Sequence, residues 1–207
     1  MKNSIIIENE NSSCDDDFSV NTDHYIKDWV IPFYHVQLGD WDYKKDALLK
    51  IWEHNSRENM IQGRLHDQAT DYDSNNEYHS LVENVLYKDI MDGIRALNLG
   101  QTFSVDTAWF QIYDNSRYHP PHNHGLGGLS LVVFIEYDDE DHMPTTFLAP
   151  FLSLKDGNVM EYIPKGVTEG SMVLFPSGLM HYAPVNQTNS KRMILAANVG
   201  VDAGRRC

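Results

Sequence analysis

Two cysteines are all that the 207-residue chain holds, Cys14 in a polar stretch and Cys207 at the end. Chain ends order poorly unless docked, so a structural disulfide is not expected and a reducing, cytoplasmic compartment fits best. Basic residues are also scarce. Sixteen Lys and Arg face thirty Asp and Glu, for a formal charge of -14, and no Lys/Arg block interrupts the acidity. That argues against nucleic acid or an anionic membrane as partner, because phosphate contacts need local positive charge. No apolar run approaches the ~20 residues of a membrane span. The three isoleucines near the start are too few for a secretory leader. Internal repeats and coiled-coil heptads are missing as well.

What is present suits one globular domain with a tail. Apolar residues make up 42% of the chain. Surface scaling lets a fold of this size bury about 70% of its unfolded surface, so neither metal nor disulfide is needed to hold a core. Residues 1–22 are rich in Asn, Ser, Asp and Glu and read as a disordered acidic tail; the folded domain is expected over 23–204. The segment Trp29–Gln37 reads as an opening strand. Ala47, Leu48, Ile51 and Trp52 share helical spacing, which predicts a helix over 44–54. A polar stretch, 59–78, reads as a long surface loop. A second helix is expected over 80–98, with Ser80 and Glu83 as a capping box, Val82, Leu86, Ile90 and Ile94 on one face, and Gly100 closing it.

From Phe103 the pattern changes to short β-rich runs between turn residues. These are 104–113, 129–137, 159–163, 170–175, 181–184 and 192–199, with an acidic loop over 138–149. No helical pattern separates them. The fold class is therefore mainly β, an antiparallel sandwich or barrel behind N-terminal helices.

Half of the ten histidines lie between residues 119 and 181. In Tyr118-His119-Pro120-Pro121-His122-Asn123-His124, the H-x-H pair on an extended backbone puts two imidazoles on one face, about 7 Å apart at the main chain. His181, after the Pro176-Ser177-Gly178 turn, is the natural third donor. Neutral imidazoles suit Fe, Ni, Cu or Zn. His119 is either drawn near this site or left on a loop, and His142 has no partner that can be inferred. In the run from Arg192 to Asn198, alternation sets Arg192, Ile194, Ala196 and Asn198 on one face and Met193, Leu195 and Ala197 on the other. A buried arginine needs a partner, and a guanidinium facing a cavity clamps a carboxylate with two parallel hydrogen bonds. Asn198, if inward, orients a ligand or satisfies main-chain groups. Trp109 and Phe110 read as core or cavity wall.

Together, Trp109–Tyr113, His122-Asn123-His124, Gly170–His181 and Arg192 resemble the 2-oxoglutarate- and Fe(II)-dependent oxygenases, and more narrowly the small oxygenases of marine bacterial and phage genomes. The resemblance covers roughly 31–199. It implies a double-stranded β-helix, a jelly-roll barrel that holds Fe(II) and 2-oxoglutarate in one mouth. It carries the metal histidines onto His122 and His181 and the cosubstrate arginine onto Arg192. It also places Tyr113, nine residues before His122, beside 2-oxoglutarate. The implied activity is hydroxylation of a peptide, an amino acid or a small metabolite with O2. Two departures stand out. His124 occupies a place where related prolyl hydroxylases carry aspartate, so the third ligand is His124 or a carboxylate such as Asp138 or Asp139. Ser116 replaces a family glycine. Gly170, Pro176, Gly178 and His181 also resemble a cupin motif, but no glutamate follows the H-x-H run. A cupin-type metalloenzyme that does not use 2-oxoglutarate, and a non-catalytic binding barrel, are the alternatives.

Overall fold

The computed structural model describes residues 31–62, 68–72, 77–125, 127–153 and 155–202. The acidic segment 1–22 and both cysteines lie outside them. The chain from Pro32 onward forms one compact unit. It opens with β1 (Tyr34–Gln37) and α1 (Trp41–Ile51), which runs on through a wider turn over 52–56 and a tighter one over 57–59. Then come β2 (Ile61–Gln62), β3 (Ala69–Thr70) and α2 (His79–Ala96). The rest is strand: β4 (Thr102–Tyr113), β5 (His119–His122), β6 (Leu129–Glu136), β7 (Thr146–Leu152), β8 (Val159–Tyr162), β9 (Ser171–Pro176), β10 (His181–Ala183) and β11 (Arg192–Asp202).

The strands make two antiparallel sheets. One has seven strands in the order β1-β9-β6-β11-β4-β3-β2; the other has four, β5-β10-β7-β8. This is the expected double-stranded β-helix. Period-two alternation gives the large sheet two apolar faces. On β11, Met193, Leu195, Ala197 and Val199 join Val82, Leu86, Ile90 and Ile94 of α2 in the core. The opposite set, Ile194 and Ala196, lines a cavity facing the small sheet. β4 divides in the same way: Ala108 and Phe110 enter the helix-side core, whereas Trp109, Gln111 and Tyr113 face the cavity. Trp109 is thus wall and Phe110 is core. The long β4–β11 pairing keeps this division in register until Asn198, where an extra residue on β4 shifts it.

Four local expectations change. The stretch 59–78 contains β2 and β3, which extend the large sheet beyond β4. Asp71 explains how so polar a stretch joins a core: fully buried, its carboxylate accepts the Phe110 N–H at 2.8 Å and the Tyr78 hydroxyl at 2.6 Å. The Ser80–Glu83 capping box does not form. Glu83 instead accepts the Val105 N–H at 2.9 Å, tying α2 to β4. Asn98, with φ 54°, supplies the left-handed residue after α2, so Gly100 does not close the helix. Finally, the last four residues of the acidic 138–149 loop, from Thr146, are the start of β7.

Gly170 shows why one motif residue lacks a side chain. Its φ is 83°, and a Cβ there would stand 2.8 Å from the Trp41 ring. Ser116 adopts φ 67°, a conformation that suits the family's glycine.

Candidate metal centre

Cross-strand register brings the histidines together. β5 and β10 pair His122 directly with His181. Beyond β5, the His124 N–H donates to the Ser177 carbonyl at 2.9 Å, pinning the end of the H-x-H run to the turn that launches His181. Ligand atoms of the three imidazoles lie within 4.8 Å of one another, and among the described residues these three form the metal-competent cluster. Asp138 and Asp139 are exposed and take no part in it. Asp138 Oδ1 accepts the Glu140 N–H in a local turn.

The donor atoms are set by what holds the other ring nitrogens. His122 Nδ1 donates to the Pro120 carbonyl at 2.8 Å, and His181 Nδ1 to the Leu179 carbonyl at 2.9 Å. His124 Nδ1 donates to Asn198 Oδ1 at 2.7 Å. An oxygen acceptor at each Nδ1 fixes the proton there and leaves each Nε2 a free lone pair. Burial lowers the basicity of all three, and neighbouring imidazoles lower that of His122 and His181 further; His181 falls to about 3. They are neutral at pH 7, the state that binds a divalent transition metal. The residues present fit such an ion.

Asn198 faces inward as alternation predicts. Its Oδ1 also receives the Ser130 hydroxyl at 3.0 Å, while Nδ2 donates to Thr107 Oγ1 at 3.1 Å. No local signal in the sequence singled out Ser130, Thr107 or Ser177 as members of this shell. Trp109 packs against the His124 ring, with centroids 5.2 Å apart, and Tyr72 packs edge-on against Trp109.

The cavity runs from the imidazoles past Gln111, Thr145, Ala183 and Ile194 to Tyr113. Arg192 is not itself a lining residue; 2% exposed, it stands beside Tyr113, its guanidinium 4.3 Å above that ring. Nη1 donates to the Met143 carbonyl at 2.7 Å and Nη2 to the Pro184 carbonyl at 2.8 Å. Burial lowers its pKa from the usual range. Among the described residues no carboxylate forms an ion pair with it. His142 does have partners: buried, it accepts the Asp138 N–H and reaches the Ser190 carbonyl, which fixes the loop carrying Met143.

His119 stays outside the metal cluster. It stacks on His122 with centroids 3.9 Å apart, lines the cavity, and contacts Gln111.

Comparison with known proteins agrees with this geometry. A family described as "Putative 2OG-Fe(II) oxygenase" matches residues 107–198, the segment that carries every one of these cavity side chains except Tyr72. No curated protein sequence matches the chain. Among solved structures, the non-heme alpha-ketoglutarate-dependent carbocyclase SnoK of nogalamycin biosynthesis superposes with TM-score 0.60 at 15% identity, over 83% of this chain and 80% of its own. The viral collagen prolyl hydroxylase of Paramecium bursaria Chlorella virus-1 gives 0.55 at 12% identity, over 83% and 97%. A Pseudomonas putida prolyl-4-hydroxylase gives 0.54 at 14% identity, over 83% and 94%. The barrel, the histidine cluster and the matched segment point the same way: the chain shares the fold of these oxygenases, and its residues 107–198 are similar to that family.

Proposed function

We propose that residues 23–204 form an Fe(II)- and 2-oxoglutarate-dependent oxygenase that hydroxylates a peptide, an amino acid or a small metabolite. The observation that carries this reading is the set of three Nε2 lone pairs, each fixed by an occupied Nδ1, at one end of a cavity whose other end is Tyr113, with the buried Arg192 guanidinium against its ring and in no ion pair among the described residues.

In this reading His122, His124 and His181 hold Fe(II), and Arg192, with Tyr113 beneath it, takes the distal carboxylate of 2-oxoglutarate. When bound, the iron and its cosubstrate supply the activation of O2, converting 2-oxoglutarate to succinate and CO2 while one oxygen atom enters a C–H bond of the substrate. The chain's own residues do the rest. Three neutral imidazoles bring no negative charge, so a dianionic cosubstrate would offset two of the three positive charges of the metal and the guanidinium. Val132, Ile194, Ala196 and Trp109 wall the cavity with apolar surface, which strengthens those charge interactions and keeps bulk water out. Asn198, Ser130 and Thr107 act on the metal through the His124 ring.

Anaerobic titration with Fe(II), then with 2-oxoglutarate, tests the reading through metal content and the iron-to-cosubstrate absorption band. One metal per chain and saturable cosubstrate binding are expected, followed by succinate release on admitting O2. Metal binding without 2-oxoglutarate binding would replace this reading with a cupin-type metalloenzyme.

A further inference from the structure

Between the metal imidazoles and Arg192, the cavity wall carries a polar chain that neither end explains. The Tyr113 hydroxyl donates to Gln111 Oε1 at 2.8 Å. Gln111 Nε2 lies 3.2 Å from His119 Nδ1. Gln111 is 5% exposed and Tyr113 1%, so each has little access to competing water. The direction of the chain follows from its donors. With its carbonyl occupied by the tyrosine proton, Gln111 presents an N–H to His119, and His119 Nδ1 must accept it. The proton of the neutral His119 ring is therefore on Nε2, the reverse of His122, His124 and His181. Among the described residues this Nε2–H meets no protein acceptor, although the ring lines the cavity.

Register locates that donor. On β10, His181 pairs with His122 and Ala183 with His119, and the next carbonyl, Pro184, is the one that holds Arg192. On β4, Gln111 likewise falls between Trp109, which packs on His124, and Tyr113, which lies under Arg192. His119 stands midway along the cavity. We propose that the His119 Nε2–H is a binding group for 2-oxoglutarate, donating to an oxygen of the cosubstrate between its metal end and its Arg192 end. Tyr113 and Gln111 are the positioning residues that fix the tautomer. This assignment rests on the reading of the cavity given above.

The test is anaerobic titration of the Fe(II)-loaded full chain with 2-oxoglutarate. His119→Phe keeps a stacked ring without the donor and should bind at least about tenfold more weakly, as loss of a hydrogen bond to a charged group does. Its iron content should match wild type. His119→Gln restores an N–H and should recover most of the affinity. Gln111→Glu is the sharper variant: a carboxylate accepts from both Tyr113 and His119, moves the proton to Nδ1, and turns an Nε2 lone pair toward the cosubstrate. Nitrogen-15 NMR of the imidazoles should show an Nε2–H tautomer for His119 in wild type and Nδ1–H in Gln111→Glu. Cosubstrate affinity should fall with that switch. Unchanged affinity in His119→Phe beside a binding wild type would overturn this assignment alone. Reduced iron content in that variant would make His119 a ligand and also overturn it. A wild type that takes up iron but no 2-oxoglutarate would bring down the assignment together with the broader reading.

Discussion

Asn198 Oδ1 lies 2.7 Å from His124 Nδ1, across 74 residues of sequence. The bond makes the amide a support of the candidate metal site, because the Nδ1 proton it receives frees Nε2. Asn198→Ala should weaken metal binding by about 10–100-fold, the usual cost of removing a group behind a ligand. Asn198→Asp keeps the acceptor and should stay near wild type. Competition with a chelator measures both, and equal affinity in the alanine variant would show that His124 is held by other contacts.

Arg192 has its carbonyl partners on two loops and, among the described residues, no anionic partner. Arg192→Lys keeps charge without the planar fork, and Arg192→Ala loses both. Breaking a buried charged pair costs about 2–5 kcal/mol, so 2-oxoglutarate affinity should fall by roughly 30-fold to several thousand-fold in Arg192→Ala and less in Arg192→Lys. Metal content should not change. Wild-type cosubstrate affinity in Arg192→Ala would remove this residue from the site.

Acid should destabilise the metal-free protein. His119, His122, His124 and His181 all have pKa values lowered by burial, His119 and His181 to about 3. Their unfolded counterparts take up protons near 6.5, so the stability present above that pH is lost as pH falls toward 3. Each proton taken up on unfolding contributes a slope of about 1.4 kcal/mol per pH unit. Urea midpoints at pH 7.5, 6 and 5 should decrease steadily, and a divalent metal should raise the midpoint at pH 7.5. A flat series would mean that the imidazoles reach water in the folded state.

Asp71 holds β4 to the start of α2 through Phe110 and Tyr78. Asp71→Ala leaves a buried N–H and a buried hydroxyl without this acceptor. A loss of roughly 2–4 kcal/mol in chemical denaturation is expected, from about 1–3 kcal/mol per unsatisfied group. A change under 1 kcal/mol would show that water replaces the carboxylate.

Ser116 offers the opposite sign. Its left-handed backbone costs a residue with a Cβ about 1–2 kcal/mol, and glycine returns part of that gain as chain entropy. Ser116→Gly should therefore raise stability by up to about 1 kcal/mol, read as a higher midpoint. A lower midpoint would mean that the hydroxyl's bond to Asn115 outweighs the backbone term.

The sequence by itself determined the features that repeat along the chain. Alternation on β11 separated Ile194 and Ala196 from Met193, Leu195 and Ala197, and the spacing of Val82, Leu86, Ile90 and Ile94 marked the buried face of α2. The H-x-H spacing, with a turn before His181, pointed to three imidazoles that the fold brings within 4.8 Å of one another. Each depends on the period of a strand or helix, which is a property of neighbouring residues. Tertiary structure decided whatever depends on a distant partner. Asp71 turned a polar stretch into sheet because a main-chain N–H and a hydroxyl awaited it inside. Glu83 left its capping role for the Val105 N–H. His119 became a cavity donor because Gln111 occupies its Nδ1, and Arg192 found two carbonyls rather than a carboxylate. Burial raises the cost of an unpaired polar group, so the fold assigns partners by proximity in space, which local sequence does not encode.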